Sequence, residues 1–203
     1  MTTPMPVYTA FAGHALLAAG PLAEVALAAR RAADGDAGAA VFIYEDATGR
    51  AIDVDTRGTD AEIVARLPLP TPVEPEAEAE PEGSPARPRG RGRPRLGVVA
   101  REVTLLPRHW DWLAGQPGGA SVALRKLVEQ ARREHAGADA LRRGRDAAYT
   151  FMSAAAGNLP GFEEAVRALY AGDAERLAAH MAGWPADVRA YALRLAGAAD
   201  LPA

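Results

Sequence analysis

The sequence predicts an α+β protein in five parts. These are a small ββαββα domain over 1–67, a disordered acidic, proline-rich linker over 68–86, a basic segment over 87–97, a strand-helix-helix segment over 98–136 and a C-terminal helical domain over 137–203. Three observations predict this. Short strand-like runs and helical spacings alternate before residue 68. Prolines and glutamates crowd together between 68 and 84. Beyond residue 106 apolar residues recur three and four apart, the spacing of amphipathic helices.

Residues 7–11 read as a strand, Gly13-His14 as a turn and 15–18 as a second strand. Gly20-Pro21 opens a helix, since proline is tolerated in a first helical turn. Leu22, Val25 and Ala29 share one face of it, and Arg30 and Arg31 lie near its C-terminal end, where positive charge is favoured. A loop over 35–38 leads to Val41-Phe42-Ile43-Tyr44, a continuous apolar run expected inside a sheet. Asp46-Ala47-Thr48-Gly49 is a turn, and Ile52 and Val54 then alternate with Asp53 and Asp55, as in a strand with one wet face. Thr59 and Glu62 have the spacing of a capping box ahead of a short helix ending near Leu67.

The linker sets Pro68, Pro70, Pro72, Pro75 and Pro81 among Glu74, Glu76, Glu78, Glu80 and Glu82. Such a segment cannot bury enough apolar area to offset its ordering entropy, so it is expected to be extended and disordered. Its acidic tract can compete with DNA for the arginines that follow. The last third is helical. A helix over 139–156 offers Leu141, Ala148, Phe151 and Met152 for packing, and Asn158-Leu159-Pro160-Gly161 stops it. Phe162, Val166, Leu169 and Tyr170 mark the next helix, which Gly172-Asp173 ends; the same pair can cap the one after, carrying Leu177 and Met181, and Val188, Tyr191, Ala192 and Leu195 mark the last, opened by Trp184-Pro185. Short amphipathic helices of this kind need one another to hide their apolar stripes.

Net charge is only -3, but its distribution is uneven. Residues 87–133 hold eleven basic side chains against three acidic ones, a surplus of eight that leaves the rest of the chain at -11. A local basic island of this kind is the footprint that phosphate binding needs. Lys126 is the only lysine, so nearly all of this charge is arginine, as a GC-rich coding sequence also tends to give. There is no cysteine, which excludes disulfides and thiolate chemistry. No run approaches the roughly 20 apolar residues of a membrane span. The first basic residue is Arg30, unlike the charged start of a signal peptide. The expected place is the cytoplasm, on the nucleoid, with no membrane association.

Gly92-Arg93-Pro94, flanked by Arg89, Arg91 and Arg95, resembles an AT-hook. Proline keeps such a peptide extended, glycine lets its backbone sit deep, and arginine enters the negative potential of a narrow A·T-rich minor groove. The plain alternative is a solvated basic linker. Residues 98–133 more loosely resemble a ribbon-helix-helix unit, an obligate dimer whose paired strands enter the major groove. Residues 101–105 would be the strand, with Val103 and Leu105 inward and Glu102 and Thr104 outward. Leu106-Pro107 opens a first helix, with Trp110 as core and Trp112 as rim, and Pro117-Gly118-Gly119 is the turn. Ser121 would cap a second helix with Leu124, Leu127 and Val128 as its buried stripe, and that helix start would grip a phosphate. Glu102 departs from the pattern because it would repel phosphates, and the strand-to-helix spacing is one residue short.

Tyr8-Thr9-Ala10-Phe11-Ala12-Gly13-His14, Gly20-Pro21-Leu22-Ala23-Glu24-Val25, Asp46-Ala47-Thr48-Gly49-Arg50 and the block over 92–113 carry a resemblance that covers nearly the full length. By these residues the chain resembles the uncharacterised bacterial family "domain of unknown function 2239". It implies no activity. The residues themselves argue against an enzyme. His14, His109, His135 and His180 are scattered without ligand spacing, and there is no nucleophile constellation, Walker loop or dinucleotide loop. Asp46, Asp53 and Asp55 could meet around a hard cation, but such residues are more often a turn and a solvent face.

The reading is therefore a homodimeric DNA-binding protein, a transcriptional regulator or nucleoid-associated factor without metal or cofactor. Its expected DNA contacts are Arg89, Arg91, Gly92, Arg93, Pro94, Arg95, Arg101, Thr104 and Ser121. The competing class is a non-enzymatic protein-interaction module.

Overall fold

In the computed structural model the described residues are 7–35, 40–68 and 101–198. The chain divides into two units, one drawing on residues 1–72 and 137–203, the other on 73–136. The expected linker beyond residue 68 and the arginine segment over 87–97 lie outside the described residues.

The first unit begins with a hairpin of β1 (Tyr8–Ala12) and β2 (Ala15–Gly20). Helix α1 (Leu22–Gly35) returns the chain to β3 (Val41–Glu45), which pairs with the free side of β1, and β4 (Ala51–Ile52) closes the sheet. The order is β2-β1-β3-β4, with every pair antiparallel. Ala10 faces Ala18 while Phe11 faces Leu16, a bulge that leaves Leu17 as the extra residue. The expected interior place of the apolar run at 41–44 is thus observed. Helix α2 (Asp60–Arg66) starts with the expected capping box: the Glu62 amide donates to Thr59 Oγ1, and the Thr59 amide donates to Glu62 Oε2 at 2.7 Å.

Alternation along a strand sends successive side chains to opposite faces. Ala10 and Ile43 face α1 and pack on Val25 and Ala29. The small alanines let that helix lie close to the sheet. Phe11 and Tyr44 point the other way, into a core built by the C-terminal helices. Those are α5 (Phe162–Ala171), α6 (Ala174–His180), α7 (Ala186–Leu195) and the later turns of α4 (Gly119–Ala155). Phe151, Met152, Met181 and Val188 are completely buried there. The sequence reading treats 1–67 and 137–203 as separate domains. In the structure one sheet carries α1 on one face and the helices on the other, so the two segments share a core. Sequence distance hides this, because the face opposite α1 reads as an ordinary wet face until a partner is known.

Two local expectations hold. Asp173 caps α6 by accepting from the Arg176 amide at 3.0 Å, and helix α4 stops before Asn158. Another is corrected: the spacing predicts one helix from Ser121 and a separate one over 139–156, whereas α4 is a single helix of 37 residues. One interior glycine costs about 1 kcal/mol relative to alanine. Around Gly137 that cost is met by alanines and by helical pairs such as Glu129–Arg133 and Gln130–Glu134. Gly144 serves packing: a Cβ there would lie 2.7 Å from the Leu195 carbonyl oxygen. Gly49, in the turn after β3, has φ +66°, and a Cβ on it would lie 1.9 Å from the Ala147 carbonyl oxygen.

The second unit, in its described part, is α3 (Pro107–Ala114), a glycine turn and the start of α4. Residues 101–106 have no regular secondary structure, which corrects the expected strand over 101–105. A strand needs a hydrogen-bonded neighbour, and the described residues of this unit provide none. Val103 is accordingly more than half exposed rather than inward.

Phe151→Ala is expected to cost about 3–5 kcal/mol in urea unfolding, as a fully buried ring, whereas Phe42→Ala, half exposed, costs under about 1 kcal/mol. Gly49→Ala combines a left-handed backbone with a backbone clash and is expected to cost roughly 2–4 kcal/mol in the same assay.

Candidate functional site

The most organised polar cluster of the first unit forms where sheet meets helices. Thr9 lies on the β1 face turned toward them, Asp46 directly follows β3, and Tyr191 and Arg194, three apart, share a face of α7. Asp46 Oδ1 accepts from the Thr9 and Tyr191 hydroxyls, each at 2.8 Å. Asp46 Oδ2 lies 3.0 Å from Arg194 Nη1. Arg194 Nη2 also donates to Thr9 Oγ1 at 3.2 Å, and its guanidinium lies 4.8 Å from the centre of the Tyr191 ring. Burial, followed by the negative charge of Asp46, pushes the Tyr191 hydroxyl well above the ordinary tyrosine value of 10.

This cluster has catalytic residue types but the connectivity of a joint. Thr9 is completely buried, the Asp46 side chain keeps 14% exposure, and the Thr9 and Tyr191 hydroxyls both donate within the cluster. The three aspartates weighed for a cation follow different fates. Asp46 is engaged here, Asp53 is exposed, and Asp55 pairs with Arg57 and Arg66. Hydrogen bonds from Arg57 hold the Asp55 carboxyl below the usual range. Among the described residues no group of three or more His, Asp or Glu side chains could hold a metal ion. The joint is not legible in the sequence because its hydrogen-bonded partners lie 37 to 185 residues apart.

The expected DNA contacts fall in three places. Arg89, Arg91, Gly92, Arg93, Pro94 and Arg95 lie outside the described residues. Arg101 and Thr104 are exposed in the irregular segment ahead of α3. Ser121 is the third residue of α4 rather than its cap, because the helix begins at Gly119, directly after a left-handed Gly118. Its carbonyl accepts from Arg125 Nε at 3.2 Å. Arg108, Arg125 and Lys126 are exposed on the same helical pair.

The apolar expectations here are corrected too. Trp110 is not a core residue: both Trp110 and Trp112 are substantially exposed. Leu127 and Val128 are exposed rather than a buried stripe, and Leu141, further along α4, is also exposed. The reason is geometric. The first eight-residue helix covers little of the second, and among the unit's described residues only Leu113 and Ala123 are buried.

No helix among the described residues is long and apolar enough to cross a membrane. Residues 7–196 match the model of a family described as "Uncharacterized protein conserved in bacteria (DUF2239)", which bears out the family resemblance over nearly the whole length. No curated protein and no solved structure matches the chain.

Tyr191→Phe removes one hydrogen bond of the joint and is expected to cost about 1–2 kcal/mol near neutral pH. The sign with pH follows from the raised value. Below about pH 10 Tyr191 is neutral in both states and adds no pH dependence; above it the unfolded chain ionises first and stability falls. Urea unfolding from pH 8 upward should show the phenylalanine variant losing less stability than the parent. Equal alkaline losses would contradict this.

Proposed function

This chain belongs to that uncharacterised bacterial family, and from this premise we propose that it is a non-enzymatic DNA-binding protein. It would act in the cytoplasm, on the nucleoid, as a transcriptional regulator or nucleoid-associated factor. One observation carries the reading: the cationic surplus of eight over residues 87–133, in a chain otherwise at -11. Arg89, Arg91, Arg93 and Arg95 supply phosphate and minor-groove contacts, around the Gly92 and Pro94 of the AT-hook-like core. Arg101 and Thr104, ahead of α3, and Arg108, Arg125 and Lys126, on the helical pair, are all exposed and add contacts, and Ser121 stands in the first turn of α4. The Asp46 joint favours a structural role over catalysis, because its carboxylate already holds the Thr9 and Tyr191 hydroxyls and the Arg194 guanidinium.

A second reading, a protein-interaction module, is favoured by the exposed Trp112 and Val128. The two differ in their response to salt. Fluorescence anisotropy on random and A·T-rich duplexes across a salt series is expected to show binding that weakens steeply as salt rises. Replacing Arg91, Arg93 and Arg95 with alanine should reduce the slope of log K against log salt by about 2–3, one counterion per lost contact. Lysine at the same three positions should keep most of the slope yet lose the preference for A·T-rich duplex. A triple-alanine variant that binds every duplex like the parent would eliminate the minor-groove role. A parent that binds none at low salt would leave the interaction module standing.

A further inference from the structure

We infer that Tyr149 and Tyr170 form an oxidative cross-linking site, at which a one-electron oxidant of the peroxidase class joins the two rings and clasps α4 to α5. The observation that carries it is exposure combined with contact. The chain has five tyrosines. Tyr44 and Tyr191 are buried, and Tyr8 is partly buried against the α1 side of the sheet. Only Tyr149 and Tyr170 are exposed, at 41% and 50%. These two touch each other: their ring centres lie 5.9 Å apart, with the planes tilted by 58°.

The fold makes this contact. Tyr149 stands near the end of α4 and Tyr170 near the end of α5, 21 residues later, and both helices belong to the first unit. Groups held in contact react without the entropy cost of meeting. The gap that remains closes by rotation of the exposed side chains, on the picosecond-to-nanosecond scale. With no cysteine in the chain, no thiol competes for an oxidising equivalent. The product closes a loop through the turn at Asn158-Leu159-Pro160-Gly161 and restricts the unfolded chain, as a disulfide does where cysteine is present.

Each phenol gives up one electron and its hydroxyl proton, leaving a phenoxyl radical whose unpaired spin lies partly on the ring carbons beside the oxygen. One such carbon from each ring joins in a new carbon–carbon bond. The hydrogen on each joined carbon then moves to its oxygen, which restores both phenols. The chain loses two hydrogens in all, and hydrogen peroxide takes up the two electrons and two protons to become two waters. Burial, then the charge of Asp146 and the neighbouring Tyr149, raise the Tyr170 hydroxyl above the ordinary tyrosine value, so its proton is in place near neutral pH and leaves with the electron. Asp146, exposed one helical turn before Tyr149, can accept it.

The test uses the full-length protein without DNA, so it stands whether or not DNA binding does. The chain is treated with peroxidase and hydrogen peroxide and run on a denaturing gel. The monomer band should carry the blue fluorescence of the joined biphenol, a mass lower by two hydrogens and a linked peptide containing Tyr149 and Tyr170. Its yield per chain should not change on dilution, because the reaction is intramolecular. Tyr149→Phe and Tyr170→Phe should each remove nearly all of the monomer-band fluorescence, and Tyr8→Phe should keep it. Both replaced side chains are exposed and phenylalanine retains the ring, so the far-ultraviolet helix signal should persist. In urea above the unfolding transition the yield should fall about tenfold or more, since the fold no longer holds the rings together. A monomer band without biphenol overturns the inference. So does biphenol that survives either phenylalanine variant at Tyr149 or Tyr170, or an equal yield from the unfolded chain.

Discussion

Four aromatic rings hold the compact unit together, and most of its organisation depends on them. Phe11 from β1 and Tyr44 from β3 meet Phe151 from α4 and Tyr191 from α7, with centroids 4.5 to 6.0 Å apart and mostly edge-to-face. Phe11 and Phe151 lie tilted at 5.5 Å. Such pairs contribute about 0.5–1.5 kcal/mol each beyond their burial. Their larger effect is topological. A small sheet with α1 on one face would leave the other face wet, and the rings make that face the floor of the helical core.

Around this cluster the polar groups behave as fasteners. Tyr191 contributes its ring to the core and its hydroxyl to Asp46, so one residue joins the apolar contact to the polar joint. A second tie lies at the sheet edge, where Asp187 of α7 accepts from the Leu16 amide at 2.8 Å. That bond occupies a donor on edge strand β2, which would otherwise be open to another strand. The close approach of Gly49 to Ala147 and of Gly144 to Leu195 belongs to the same seam. The polar groups at this seam therefore serve to hold sheet and helices together.

Legibility varied with how local the cause was. The α2 capping box, the Asp173 cap and the stop before Asn158 were readable because each is decided within four or five residues. The strand order could not be read, yet the interior place of Val41-Phe42-Ile43-Tyr44 could, from its unbroken apolarity. Leu127 and Val128 have the right spacing for a buried stripe, but spacing states only that a face is apolar, not that this chain supplies its cover. The merged helix shows the reverse case: Gly137 looks like a break locally, while the alanines and paired charges around it outweigh a cost of about 1 kcal/mol.

The sequence by itself determined the α+β class, most element boundaries in the first unit, the family and the separation of charge between a basic island and an acidic remainder. These rest on periodicity, capping chemistry and composition, which are properties of neighbouring residues. Only the tertiary structure decided that the N-terminal sheet and the C-terminal helices share one core. It also decided that Thr9, Asp46, Tyr191 and Arg194 form one joint, and that α4 runs bare through residues 125–136. Each of these depends on contacts between residues far apart in the chain, where one apolar face or one carboxylate has many chemically equivalent partners and packing geometry alone selects among them.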